Sequence, residues 1–155
     1  MSLLFLVSNR GPRGGLYSVI KFAEALAQRG HSVALACVRY PIYLKGRKTR
    51  IQVKMRHQVP HLFRGCGRLD KLWSRTYDLL ILSPFVRERR PDYIFGLQIE
   101  DAIRAVRFGR KYEIPVANFV FETPTWMERT WKGFEGNREF RRSWNEFREN
   151  LLMSD

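Results

Sequence analysis

Cysteine is scarce in this 155-residue chain, which contains only Cys37 and Cys66. Two cysteines outside a Cys-x-x-Cys motif are too few for the disulfide framework of a small secreted domain, so the sequence predicts a cytoplasmic protein. Long apolar runs are also missing. Stretches such as Tyr77–Phe85 and Pro115–Phe121 fall far short of the ~20 residues that a membrane-spanning helix needs. The chain opens directly on Leu3–Val7 without a basic leader, which favours a first strand over a signal peptide.

Acidic residues are nearly absent from the first 69 positions, where Glu24 stands against thirteen basic residues. That part carries a formal charge of +12, whereas the remainder, with fifteen basic and fourteen acidic residues, carries +1. Arginine outnumbers lysine 21 to 7 and suits bidentate binding of phosphate or carboxylate. Such a field attracts polyanions, anionic lipid headgroups or phosphorylated substrates. The alternative is a solvated face whose charge a partner domain balances.

Several motifs of cofactor and metal sites are missing as well. The G-x-G-x-x-G fingerprint and the P-loop are absent, and Arg39 stands where a dinucleotide-binding domain carries its ribose-binding acid. His31, His57 and His61 do not have the spacing of a zinc site. We therefore expect neither a nicotinamide cofactor nor a bound metal.

Apolar periodicity predicts alternating strands and helices. The expected strands are Leu3–Ser8, Ser32–Val38, Ile51–Met55, Tyr93–Leu97 and Val116–Phe121. Four helical regions are expected. The first begins at Gly15, and the second covers Leu69–Arg90 as one or two helices with an interruption near Ser83-Pro84. The third includes Ile99 and ends near Lys111, and the fourth covers Asn137–Met153. This alternation is typical of an α/β protein with a Rossmann-like, doubly wound parallel sheet, here a single domain over residues 1–155.

Ligands of such sheets bind outside the carboxyl ends of the strands. Gly14 and Gly15 follow the first strand and precede a helix, where backbone N–H groups can approach an anion, and Arg10 and Arg13 add cationic donors. A plain tight turn is the alternative. Glu122 follows the last predicted strand, where desolvation favours general acid or base chemistry, although it could instead cap a helix or pair with an arginine.

An ordered set of short motifs resembles the N-terminal domain of GT-B glycosyltransferases of family 4, the glycogen-synthase and mannosyltransferase type. The set comprises Leu3–Ser8, Gly14-Gly15, the passage from Ala25 to Val33, Arg90-Pro91-Asp92-Tyr93-Ile94 and Ile114-Pro115-Val116. The resemblance implies one of two Rossmann-like domains that flank a cleft. In that family this domain mainly holds the acceptor, and its Gly-Gly loop contacts the phosphate or sugar of the donor.

The resemblance also implies a partner domain that binds the nucleotide sugar, usually through a pair of glutamates eight positions apart. No two glutamates here have that spacing. We therefore expect an acceptor-side domain that ends before its last strand, lacks the donor-binding domain and is inactive alone. The implied reaction moves a sugar from a nucleotide donor to a lipid-linked, glycan or small-molecule hydroxyl without a metal.

The sequence departs from the family where histidines usually follow two of the strands. Gln98 and Glu122 stand at those places, so the histidine-based role cannot be carried over. Glu122 is the expected catalytic residue; the alternatives are that it binds sugar or that the chemistry relies on the donor phosphate. Gln98 and Thr123 join the predicted phosphate- or substrate-binding set. The basic segment Arg39–Arg68, which has no acidic residue, is the expected acceptor- or membrane-facing surface. Nucleic acid is not an expected partner. A non-enzymatic module that binds polyanions or an anionic membrane surface is the alternative function.

Overall fold

A computed structural model describes residues 1–7, 13–37, 44–46, 48–55, 72–73, 75–119, 145 and 149, of which 13–15, 55 and 98–100 are described by their backbone alone. The elements in chain order are β1 (Ser2–Val7), α1 (Arg13–Gln28), β2 (Ser32–Cys37), β3 (Gln52–Met55), a π-helical turn (Asp78–Leu82), α2 (Ser83–Arg89), β4 (Tyr93–Leu97), α3 (Gln98–Tyr112) and β5 (Val116–Phe119). The expected helix over Asn137–Met153 lies outside the described residues, apart from two single positions.

The five strands form one parallel sheet in the order β3-β2-β1-β4-β5. The chain builds β1, β2 and β3 towards one side, then crosses back and adds β4 and β5 on the other side of β1. The direction of winding therefore reverses between β1 and β4. This arrangement confirms the predicted Rossmann-like, doubly wound α/β fold.

Strand residues alternate between two hydrophobic cores, one on each face of the sheet. Phe5 and Val7 of β1 face α1, together with Leu35 of β2. Leu4 and Leu6 face α2 and α3 on the opposite side. Four apolar side chains that share one face of α1 complete the first core: Val19, Ile20, Ala23 and Ala27.

Helix α3 packs against the sheet at glycine positions near both of its ends. A Cβ atom on Gly96 would lie 2.6 Å from the Ala102 Cα and 2.8 Å from its backbone nitrogen. A Cβ atom on Gly109 would lie 2.8 Å from the carbonyl oxygen of Ile114. Real Cβ atoms do not approach backbone so closely, so these two glycines allow the helix to lie directly on β4 and β5.

The structure corrects three details of the sequence-based expectations. Helix α1 begins at Arg13, two residues before the predicted start at Gly15. The described residues of β5 are half-buried rather than fully buried, because β5 lies at the end of the described sheet. The helical backbone continues through Ser83, where an interruption was expected, by way of the π-helical turn.

No helix in the described part of the chain is both long and apolar enough to cross a membrane.

Candidate functional site

The carboxyl ends of β1 and β4 lie side by side, because the two strands pair in parallel from Leu3 with Tyr93 to Leu6 with Gly96. The chain leaves β1 towards α1 on one face and leaves β4 directly into α3 on the other face. Both helices therefore start at the same edge of the sheet, on either side of the point where the winding reverses. Open α/β sheets bind their ligands in the crevice at this point.

The backbone N–H groups in the first turn of α1 lie at this edge of the sheet. Arg13, Gly14 and Gly15 are its first three residues, and the first turn of a helix has no internal partner for its N–H groups. No acidic residue lies in that turn. Glu24, the one acid of the first 69 residues, is paired with Lys21 of the same helix at 3.1 Å between Nζ and Oε2. The helix dipole and the local charge both favour an anion at the start of α1.

Helix α3 also begins at this edge, but its first turn differs in charge. Gln98 is its first residue, directly after the last residue of β4, and Glu100 and Asp101 follow within the turn. Asp101 is only 1% exposed. These carboxylates oppose a second anion at α3, so the electrostatics of the crevice favour α1 as the phosphate side.

Asp101 belongs to a buried ion network that joins α3 to the π-helical turn. The Arg104 guanidinium donates from Nη1 to Asp101 Oδ1 at 3.2 Å, and from Nε and Nη2 to the two carboxylate oxygens of Asp78 at 3.2 and 2.5 Å. Burial disfavours the charge of Arg104, but the hydrogen bonds and charges of Asp78 and Asp101 outweigh this and raise its pKa. The network holds the start of α3 against the π-helical turn.

Asn118 lies beside Gly96 near the carboxyl end of β5. Its side-chain Oδ1 is buried and accepts no hydrogen bond within the described residues, and a Cβ atom on Gly96 would lie 2.5 Å from it. A buried carbonyl oxygen without a donor costs free energy. Asn118 therefore places an unused acceptor beside the start of α3, at the edge that carries the crevice.

Cys37 is the last residue of β2 and is buried. Burial, reinforced by the negative charge of Asp101, raises the pKa of its thiol to about 12. A thiol held neutral in this way is a poor nucleophile at physiological pH. Cys37 therefore packs as a neutral side chain within the core.

The structure brings together the backbones of four of the residues expected to bind ligand. Arg13, Gly14 and Gly15 at the start of α1 and Gln98 at the start of α3 all lie at the carboxyl edge. Arg10, Glu122 and Thr123 lie outside the described residues. Of the basic segment Arg39–Arg68, residues 44–46 and 48–55 are described, and among them Lys45, Lys48 and Arg50 are exposed.

Sequence reasoning missed the network of Asp78, Asp101 and Arg104 and the unused oxygen of Asn118. The pair Asp101 and Arg104 has the three-residue spacing of a helical ion pair, and that signal was available in the sequence. Asp78 is 26 residues away from Arg104, and only the packing of α3 against the π-helical turn brings the two together.

Solved structures show where this fold occurs. The structure of Phytolacca americana UGT2 complexed with UDP-2fluoro-glucose and pterostilbene matches 97% of this chain with a TM-score of 0.61 and 12% identity. The apo structure of that protein matches 82% of this chain with a TM-score of 0.57 and 14% identity. A UGT transferase from Siraitia grosvenorii in complex with UDP matches 77% of this chain with a TM-score of 0.50 and 16% identity.

This chain spans 27% to 44% of the length of those proteins. At such low identity the likeness shows the fold alone, which is the fold found in GT-B glycosyltransferases. No protein-family model matches the chain, and no curated protein sequence matches it.

Proposed function

We propose that this chain is the acceptor-side domain of a GT-B glycosyltransferase that transfers a sugar from a nucleotide-sugar donor to a hydroxyl acceptor. The observation that carries the proposal is the reversal of winding between β1 and β4, with an acid-free helix start at Gly14 and Gly15 on one side of it. The likeness of the whole fold to UDP-bound glycosyltransferases supports it. The motifs shared with family 4 narrow the proposal to that family and to a lipid-linked, glycan or small-molecule acceptor.

The chemistry follows from the charge that develops during transfer. The bond between the anomeric carbon and the diphosphate oxygen breaks, a bond to the acceptor oxygen forms, and the acceptor hydroxyl passes its proton to the Glu122 carboxylate. The diphosphate gains negative charge in this step. Preorganised N–H donors at the start of α1 stabilise that charge without a metal. Arg10 and Arg13 add positive charge, Gln98 and Thr123 contact substrate, and Glu122 is the proposed catalytic carboxylate.

Nucleotide-sugar binding measured by NMR tests this placement. UDP-glucose and GDP-mannose are titrated into the ¹⁵N-labelled chain, and we expect the largest amide shifts at Gly14 and Gly15. Gly15→Val should weaken binding at least ~10-fold, because a branched side chain at the helix start keeps the phosphate from the backbone. The matched control Ser18→Val places the same side chain one turn further along α1 and should bind as the wild type does.

Thermal midpoints of both variants show whether the fold is intact, and Gly15→Ala replaces Gly15→Val if the larger side chain unfolds the protein. Shifts that leave Gly14 and Gly15 unaffected, or unchanged binding by a folded Gly15 variant, would contradict the proposal.

The concentration of +12 in the first 69 residues favours a second candidate, a polyanion-binding module. That function predicts binding of heparin and polyphosphate with a steep salt dependence and no preference for nucleotide sugars.

A further inference from the structure

Five apolar side chains before α2 form an exposed surface, here called the π-turn patch: Leu72, Trp73, Leu79, Leu80 and Ile81. The exposed fractions of Leu79 and Leu80 are 63% and 67%, and Leu72 is 61% exposed. The Thr76 hydroxyl donates to the Leu72 carbonyl, so Leu72 lies one helical turn before Thr76. Clustered apolar exposure of this kind marks a surface that meets another body.

The π-helical turn is the reason that Ile81 belongs to this surface. Tyr77, Leu82 and Val86 are the buried positions, spaced five and four residues apart. In a regular α-helix, Ile81 would follow Tyr77 on the buried stripe. Pro84 has no N–H group for the Leu80 carbonyl, and the Ser83 N–H instead donates to the Asp78 carbonyl five residues back. The extra residue places Leu82 in the core and turns Ile81 to solvent, where it is 48% exposed.

The turn that carries the patch is held firmly to the rest of the fold. Asp78, its first residue, accepts the bidentate hydrogen bonds of Arg104. The Tyr77 hydroxyl, just before the turn, lies 3.5 Å from the carbonyl oxygen of Lys54 near the carboxyl end of β3. The exposed leucines are therefore presented by a fixed element, and π-helical turns in such elements occur frequently at functional sites.

Exposed arginines lie on the same stretch of chain as the patch. Arg75 is exposed and precedes Leu79 by one helical turn, and the Lys54 ammonium lies 5.3 Å from the centre of the Phe85 ring. Between Arg75 and Arg90 the chain has two acids, Asp78 and Glu88, and the first of them is engaged by Arg104. The exposed leucines and tryptophan thus belong to a stretch of chain with a net positive charge.

We propose that the π-turn patch docks this domain on an anionic lipid surface. Leucines enter the boundary between headgroups and acyl chains, tryptophan prefers that boundary, and flanking arginines bind anionic headgroups. A protein partner would need negative charge around an apolar centre, whereas an anionic bilayer offers both over any area. The contact of Tyr77 with Lys54 places the patch on the side where β3 ends, so docking brings the carboxyl edge of the sheet towards the headgroups. The inference does not depend on the proposed transferase function.

Vesicle co-sedimentation of the whole chain tests the docking. We expect binding to phosphatidylcholine vesicles that contain phosphatidylglycerol, and little binding to phosphatidylcholine alone. The double variant Leu79→Ser/Leu80→Ser should lower the partition coefficient at least ~10-fold, since both side chains are largely exposed and leave the core intact. Arg75→Gln should lower it about 3- to 5-fold and reduce its dependence on salt.

Two matched controls identify the surface. Tyr17→Ser removes an exposed aromatic side chain from α1, on the other face of the sheet, and Arg110→Gln removes an exposed arginine from α3; both should partition as the wild type does. Unchanged partitioning by the leucine variant, or equal binding to neutral and anionic vesicles, would overturn the inference. A dimer that dissociates in the leucine variant, measured by light scattering, would assign the patch to a second copy of the chain instead.

Discussion

Cys37 illustrates how position in the sheet decides the chemistry of one side chain. Its Sγ lies 4.0 Å from the Lys54 carbonyl of the neighbouring strand and is surrounded by core residues. The thiolate would be both desolvated and close to the buried carboxylate of Asp101, so the pKa of the thiol rises to about 12 from 9.0. A reactive thiol needs the opposite surroundings, namely exposure and positive charge.

The raised pKa predicts an alkaline loss of stability. Between pH 9.0 and about 12 the unfolded chain releases the Cys37 proton while the folded chain keeps it, so unfolding becomes easier. The contribution of the protonated Cys37 thiol to the unfolding free energy is fully present below pH 9.0, and it falls by up to ~1.4 kcal/mol per pH unit above that pH. Urea denaturation at several pH values, compared with Cys37→Ala, isolates this contribution from lysine and tyrosine titration. The gap in unfolding free energy between the two proteins should narrow steadily as the pH rises, and parallel profiles would show that the thiol titrates normally.

Arg104 acts at the scale of elements, because it joins α3 to the π-helical turn. Its guanidinium uses Nε, Nη1 and Nη2 on two carboxylates, one of which, Asp101, is almost fully buried. The same contact holds the start of α3 against the first residue of the π-helical turn, which carries Leu79, Leu80 and Ile81. One side chain thus supports both the proposed ligand site and the proposed docking surface.

Removing this side chain should cost more stability than an ordinary surface substitution. Arg104→Gln leaves the carboxylate of Asp101 buried without its guanidinium partner, and we expect a loss of about 3 kcal/mol in unfolding free energy. Arg110→Gln, an exposed arginine on the same helix, should change stability by less than ~0.5 kcal/mol. Chemical denaturation of both variants measures the difference. Equal stabilities would mean that the network contributes no more than a surface pair.

The regular elements were predictable because their signals are local. Short apolar runs closed by turn residues mark β1, β2 and β4, and Gly30 after α1 marks its end with a positive φ of 89°. The π-helical turn was not predictable in this way. The break at Ser83-Pro84 was expected because proline has no N–H group to donate within the helix. Whether the helix breaks or forms a π-helical turn depended on which of Ile81 and Leu82 fits the core. That choice is made by tertiary packing against Leu4 and Leu6.

The candidate site was predictable in position and only partly in composition. The order of strands and helices, read from periodicity, places Gly14, Gly15 and Gln98 at the carboxyl edge, and the structure has their backbones there. The acidic residues in the first turn of α3 are also evident from the sequence. The role of Asp101 in an ion network, however, depends on the contact between Arg104 and Asp78, which lie on two different elements. Ligand preference depends on side-chain geometry that periodicity does not specify.

At the scale of the whole molecule, the fold and the charge distribution suit two different anions, one small and one large. The parallel sheet supplies an anion-favouring helix start at the reversal of winding, while much of the +12 of the first 69 residues lies after β2. A small phosphate site needs only the first of these features. The basic composition of that segment suits a larger anionic partner, which agrees with a lipid surface that presents the acceptor to the carboxyl edge.

The division of labour in the proposed enzyme predicts binding without transfer. This chain spans 27% to 44% of the length of the three glycosyltransferase structures compared above, and it has no pair of glutamates eight positions apart. Residues 1–155 alone should therefore bind a nucleotide sugar weakly through the start of α1 and release no nucleoside diphosphate above the uncatalysed rate. Transfer needs a second surface, because the reacting atoms must be held about 3–3.5 Å apart.

The measurement is chromatographic detection of UDP or GDP after long incubation with nucleotide sugars and lipid, glycan and phenolic acceptors, with a complete glycosyltransferase as the positive control. Turnover that persists in the chain and disappears in Gly15→Val would show that the donor site is complete within these residues and that the assignment to one side of the cleft is wrong.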